Sequence, residues 1–164
     1  MPANADITES YERLWNRALW YLGRRDYGAQ ELQQKLARPR PNKPKPVPED
    51  IDKAIKRLQE LGLLNDERYA QRLAESLSNK GFGERGIKQE LRMRGLADEA
   101  PEIEIEDSER LAQLLQTPKF QRKLEDERGR RSLYQALLRK GFKHGDIRTA
   151  MRDYMEEEQY DGTD

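Results

Sequence analysis

An all-α protein, drawn out as an elongated array of three tandem three-helix repeats (helix-turn-helix-like units), is the fold this sequence predicts. Val47 is the only valine in 164 residues and threonines are few, whereas strands favour β-branched and aromatic side chains. One phrase recurs three times, built on aliphatic pairs four apart: Leu32/Leu36, Ile87/Leu91 and Leu133/Leu137. From Leu36 to Leu91 to Leu137 the period is about 45 to 55 residues, in the range of helical repeat arrays. Only 35% of the residues are hydrophobic and 38% are charged, against roughly 25% charge in ordinary globular domains. Each helix can therefore bury one narrow stripe against its neighbours, which gives a thin, distributed core. Arrays of this kind present long binding surfaces rather than enclosed pockets.

Leu14, Ala18, Leu19 and Leu22, widened by Trp15, form the stripe of a first helix from about Ser10 to Arg24. Gly28 stands where an N-cap belongs, with Glu31 three residues on, a weakened capping box for a second helix carrying Leu32 and Leu36. Five prolines between Arg38 and Pro48 then forbid a helix and favour an extended, solvated loop. This loop is either an inert linker or a basic arm reaching for phosphate or an acidic partner. Ile51, Ala54, Ile55, Leu58 and Leu61 follow helical spacing, and Gly62 ends that third helix. Asn65 caps the fourth, with Asp66 and Glu67 in its first turn and Tyr69, Ala70, Leu73 and Leu77 as its stripe. Gly81 stops it, Gly83 opens the fifth, and Gly95 closes the fifth after Met93. Between Ala97 and Ile105, Pro101 and the alternation of Ile103 and Ile105 with glutamates allow only a short helix or an irregular link. A helix around Ser108 to Gln116 is stopped by Pro118. The last two carry Leu133, Tyr134, Leu137 and Leu138, and Ile147, Ala150, Met151, Tyr154 and Met155. Eight or nine helices grouped in threes are expected.

Domain boundaries follow the repeats: 1–9 a flexible N-terminus, 10–64 the first repeat with the Pro/Lys-rich loop 38–48, 65–106 the second, 107–157 the third, and 158–164 an acidic tail. Formal net charge is zero, yet the signs are segregated. Seven acidic residues and no basic ones lie between Asp98 and Glu109. The stretches Arg24–Arg94 and Lys119–Arg148 are basic. Without cysteine, disulfides and thiolate metal sites are excluded. The opening Met1-Pro2-Ala3-Asn4-Ala5-Asp6 has neither the basic region nor the apolar run of a signal peptide. No apolar stretch approaches the roughly 20 residues that span a bilayer. A cytoplasmic protein with no membrane association is the expectation.

Gly81-Phe82-Gly83-Glu84-Arg85-Gly86 spells G-x-G-x-x-G. A dinucleotide site needs a strand before it and a βαβ setting; here a helix precedes it, so the glycines read as one helix end and the next helix start. His144 is the only histidine, it sits in a polar stretch, and zinc lacks both cysteines and a second histidine. No catalytic residue, metal or cofactor is expected, and no enzyme activity. Tyr27, Phe82 and Phe142 occupy similar places at the repeat junctions; they either staple helices together or stack on bases. The basic set is the candidate binding face: Arg24 and Arg25; Lys80, Arg85, Lys88, Arg92 and Arg94; and Arg130, Arg131, Arg139, Lys140 and Lys143. Arg85, Lys88 and Arg92 share one side of a helix, offset from Ile87 and Leu91. Such a stripe can neutralise phosphates or engage an acidic protein groove.

Leu19-Trp20-Tyr21-Leu22-Gly23-Arg24-Arg25-Asp26-Tyr27, followed by Glu31-Leu32 and Lys35-Leu36, resembles the opening repeat of the RecX family, regulators of the RecA recombinase. Leu61-Gly62-Leu63-Leu64-Asn65-Asp66-Glu67-Arg68-Tyr69-Ala70 resembles that family's central segment, and Lys80-Gly81-Phe82-Gly83 with Ile87, Leu91 and Arg94-Gly95-Leu96 its most characteristic stretch. Arg139-Lys140-Gly141-Phe142 with Ile147 and Ala150-Met151 resembles its closing motif. Together these span nearly the whole chain in order. Three departures stand out: the Pro39–Pro48 loop resembles an insertion, Gly28 replaces a frequent serine cap, and Asp98–Glu109 is compact for a third helix in the middle repeat. The resemblance implies a curved array that binds along the groove of the RecA–single-stranded-DNA filament. It implies inhibition of ATP hydrolysis, strand exchange and coprotease activity, and so a part in recombination, DNA repair and the SOS response. RecA and its filament are the expected partners, with weak direct contact to single-stranded DNA left open and a monomer expected. The competing reading is a helical nucleic-acid-binding or adaptor module acting without RecA.

Overall fold

A computed structural model describes residues 8–102 and 106–161, with side chains described as far as Glu156. Nine helices occupy the described residues: α1 (Tyr11–Leu22), α2 (Ala29–Ala37), α3 (Pro48–Glu60), α4 (Asp66–Asn79), α5 (Glu84–Met93), α6 (Asp107–Leu115), α7 (Pro118–Leu124), α8 (Glu127–Arg139) and α9 (His144–Asp161). No strand occurs among the described residues; Thr8 and Lys45 form one isolated parallel bridge. The expected alternation at Ile103 and Ile105 lies outside the described residues, as do residues 1–7 of the expected flexible N-terminus and 162–164 of the acidic tail.

Local chemistry explains most helix ends. Pro48 occupies the first turn of α3, where its missing N–H costs nothing and its fixed φ favours helix. The Asn65 side chain accepts the backbone N–H of Arg68 at 2.7 Å, capping α4. Gly62 and Gly95 take positive φ and so let the chain leave α3 and α5 in a conformation other residues resist. Pro118 does more than stop α6. It also begins α7, with Thr117 as N-cap, a seven-residue helix too short to leave a periodic signal in the sequence. Set against boundaries at 64 and 106, the nine helices fall as three, two and four. Residues 96–102 are turn and coil, so the described part of the acidic link carries no helix.

The chain divides into two compact units. One holds residues up to Arg72 together with Arg92–Ala100; the other holds Leu73–Leu91 and everything from Pro101 onward. In the first, Leu14, Ala18, Tyr27, Leu32, Leu36, Ile51, Ala54, Leu58 and Leu64 form one buried cluster joining α1, α2 and α3. In the second, Leu111, Leu115, Leu124, Leu133, Leu137, Phe142 and Ile147 do the same for α6 to α9. Both cores are rich in leucine, and truncating any one of these leucines to alanine is expected to cost about 2–5 kcal/mol. Three residues assigned to helix stripes stay in solvent: Leu19 is 37%, Leu61 56% and Met155 39% exposed. Leu61 falls at the C-cap of α3, where the chain has already turned off the helical face.

Candidate binding surface

The G-x-G-x-x-G segment is a close joint between backbones. The N–H of Gly83 donates to the carbonyl of Lys140 at 2.9 Å, and a Cβ on Gly86 would fall inside that same carbonyl group. Gly141, at φ +90°, lies against the amide of Gly86. Any side chain at these three positions would push α5 off the turn between α8 and α9. The aromatics of the motif pack rather than project. Phe142 is 2% and Tyr27 7% exposed, which supports stapling over base stacking. Phe82 lies partly buried beneath the Lys140 ammonium, 5.1 Å from its ring centre.

A second device recurs at this joint and at its counterpart in the other unit. The first amide of α2, at Ala29, donates to Asp66 Oδ1 at 2.8 Å. The first amide of α5, at Glu84, donates to Asp107 Oδ1 at 2.9 Å. In both cases an aspartate opening a later helix caps an earlier one whose own N-cap position is glycine. A nearby arginine completes each lock. Arg94 donates to the Tyr69 hydroxyl at 2.8 Å, and Arg110 donates to the Phe82 carbonyl at 3.1 Å. Burial pushes the Asp107 carboxyl above its ordinary value, partly offset by the Glu84 amide and Arg110. In sequence, Asp66 reads only as part of its own helix and Asp107 as part of an acidic run. Their partners lie 37 and 23 residues away, beyond any local pattern.

These joints sort the candidate basic residues. Lys140 is partly buried, its ammonium bonded to the Lys80 carbonyl, and desolvation, followed by Lys119, lowers its pKa. Arg130 is partly buried and donates to the Leu124 carbonyl at 2.8 Å, tying α8 to the end of α7. Arg94 is held at Tyr69. These three positions serve the fold. Four others are exposed but engaged. Arg24 stacks over Trp20 at 4.3 Å, Arg25 over Tyr27 at 3.8 Å, Lys88 pairs with Glu84 and Arg131 with Glu127. The Glu31 hydrogen bond raises the Arg25 pKa, and the Lys88 hydrogen bond lowers that of Glu84. Lys80, Arg85, Arg92, Arg139 and Lys143 are exposed. The structure brings Lys80, Lys140 and the start of α5 together at the glycine joint. Arg85, Lys88 and Arg92 project from α5 with all three side chains in solvent.

Short helices in tandem, two of them capped by a later helix, with cations displayed outward, define an all-helical protein. Residues 65–100 match a family model described as RecX, second three-helix domain. Regulatory protein RecX of Cronobacter sakazakii is 37% identical over 105 residues, covering 61% of this chain and 64% of that protein. Regulatory protein RecX of Escherichia coli strain SMS-3-5 is 37% identical over 107 residues, covering 62% of this chain and 64% of its own. The chain thus spans a little under two thirds of these relatives' length. The crystal structure of RecX from Lactobacillus salivarius superposes with a TM-score of 0.63 over 87% of this chain and 95% of that one, at 24% identity, a likeness of fold. The chain is thus similar to RecX proteins over a little under two thirds of their length, and its all-helical fold is like that of the Lactobacillus salivarius structure.

Proposed function

We propose that the chain is a non-enzymatic regulator that binds RecA and the RecA–single-stranded-DNA filament. In this reading it mainly inhibits the filament's ATPase, strand-exchange and coprotease activities, and so acts in the control of recombination, DNA repair and the SOS response. The similarity to regulatory RecX proteins carries the reading. The outward cations of α5 support it, because Arg85, Lys88 and Arg92 can meet an acidic groove or phosphates without disturbing Ile87 and Leu91, which are buried. The exposed residues Lys80, Arg139 and Lys143 extend the proposed contact set, and Arg24, Arg25 and Arg131 would join it by exchanging their present partners. Three repeats bounded at 64 and 106, a monomeric cytoplasmic protein and a weak direct contact with single-stranded DNA complete the proposal. No helix among the described residues is long and apolar enough to cross a membrane.

The decisive experiment is the single-stranded-DNA-dependent ATPase of RecA with this protein titrated from well below the RecA concentration. Strong inhibition at substoichiometric amounts is expected, since one bound copy would affect many RecA subunits. No inhibition, with excess DNA present to rule out sequestration, would replace the proposal with an adaptor role.

A further inference from the structure

Helix α1 buries Leu14 and Ala18 and turns an indole the other way: Trp20, two residues beyond Ala18, is 54% exposed. A lone apolar side chain in water means little, but Trp20 belongs to a connected patch of rings and cations. The Arg24 guanidinium lies over the indole at 4.3 Å. The Tyr21 ring meets Trp20 edge-on at 5.2 Å and Tyr27 edge-on at 5.9 Å. Lys35 Nζ sits 5.7 Å from the centre of Tyr21, and Arg25 lies over Tyr27 at 3.8 Å. Three rings and three cations therefore touch in series across α1, α2 and the turn between them.

The charge of this patch has one sign. Its two neighbouring carboxylates are already matched, Glu31 by Arg25 at 2.6 Å and Asp26 by Arg72 at 3.1 Å. Arg24 and Lys35 make no ion pair among the described residues. The one acid of α1, Glu12, stands about two turns before Trp20. Arg13 is exposed and, seven residues before Trp20, shares its side of the helix, so the basic surface continues toward the start of α1. An acidic protein surface would satisfy these cations and leave the indole without a flat partner. A nucleic-acid single strand supplies both a negative backbone and bases, each with a face to stack.

We infer that this surface is a platform for single-stranded nucleic acid, on which a base stacks against Trp20 and Arg24 turns from the ring to a phosphate. Arg13 and Lys35 add charge along the path of the backbone. Of the three rings only Trp20 is fully exposed, Tyr21 being partly and Tyr27 wholly buried, so the contact is weak and indifferent to sequence. The inference gives a place to the direct DNA contact proposed above and rests on that part of the reading, not on RecA.

The test is run without RecA on the full chain. With Trp15→Phe in place Trp20 is the one tryptophan left, and its emission is followed during titration with single-stranded oligothymidylate and with an abasic oligonucleotide of equal length. Saturable quenching by oligothymidylate is expected, with weaker binding of the abasic strand. Trp20→Ala, measured by the anisotropy of labelled oligothymidylate, should bind about tenfold more weakly at an unchanged melting temperature. Arg24→Ala should reduce the slope of log affinity against log salt by about 0.7. Equal affinity of Trp20→Ala and the parent overturns the platform while leaving a direct DNA contact elsewhere on the protein. Equal affinity for the abasic strand and oligothymidylate overturns the stacking and with it the inference. No binding of oligothymidylate by the parent overturns both the platform and the direct contact. If Trp20→Ala loses RecA and keeps the oligonucleotide, the face is a protein contact and the inference fails.

Discussion

Asp107 Oδ1 stands 2.9 Å from the backbone nitrogen of Glu84, so that α6 supplies the cap α5 lacks. Gly83 precedes that amide and has no side chain to offer. Its carbonyl accepts from Ile87 at 3.0 Å in the first turn, and its own N–H is used by Lys140. Each polar group of the segment is thus matched to a different element, and the joint has little slack.

Removing this cap should show directly in stability. Asp107→Ala is expected to lose about 1 kcal/mol, read as a lowered urea midpoint, and Asp66→Ala about the same. Asp107→Asn keeps an acceptor oxygen and should lose less. Its pH profile should also differ. Burial raises the folded Asp107 pKa above the unfolded one, so folding favours the protonated form. That contribution is complete below the unfolded pKa and is lost as pH rises through the folded one. The stability of the parent relative to Asp107→Asn should accordingly fall as pH rises across that window. A constant difference would count against the buried position.

Two glycines make a paired comparison. Gly86→Ala places a methyl in the Lys140 carbonyl and should cost about 2–3 kcal/mol or prevent folding of that joint. Gly145, in the first turn of α9, has nothing within 4 Å of an added Cβ. Gly145→Ala should be neutral or stabilising by about 0.5–1 kcal/mol. Thermal unfolding of the two variants checks the contrast.

On the binding side, Arg85→Ala, Lys88→Ala and Arg92→Ala together should leave the helical spectrum and melting temperature nearly unchanged, because all three are exposed. Inhibition of the RecA ATPase should then require about tenfold more protein. Full inhibition by the triple variant would remove α5 from the contact.

Lys140→Ala should do the opposite. The ammonium is committed to the Lys80 carbonyl and the Phe82 ring, so its loss is expected to cost about 1 kcal/mol of stability. Inhibition per folded molecule should be unaffected. A measured loss of inhibition at full folding would make Lys140 a contact residue.

Most helices and most helix ends were legible because they depend on neighbours in sequence: Gly62, Gly81 and Gly95 for exits, Asn65 for an entry, and aliphatic pairs for buried faces. α7 was not, since seven residues between Pro118 and Leu124 hold too few apolar positions to show a period. The basic residues could be gathered from sequence but not sorted. Lys140 and Arg139 are neighbours with opposite fates, one under desolvation and one in water, and only packing separates them. Glu9, Arg13, Arg17 and Arg40 escaped notice for a related reason. Arg13 and Arg17 share a side of α1, but Glu9, which bonds Arg17, and the loop residue Arg40, which bonds Glu9, lie elsewhere along the chain.

The caps running from a later helix to an earlier one also govern how this protein can be taken apart. A fragment ending at Leu64 would contain the whole hydrophobic cluster of α1 to α3, yet it would lack Asp66 for the Ala29 amide and Leu96, which lies against Gly28. Its second helix would begin on bare amides. A piece starting at Asp107 would retain its leucine core but leave the Lys140 carbonyl without the Gly83 N–H. Cuts at the apparent seams of the sequence therefore sever bonds, and the repeat seen in the primary structure is not a unit that can be expected to fold by itself.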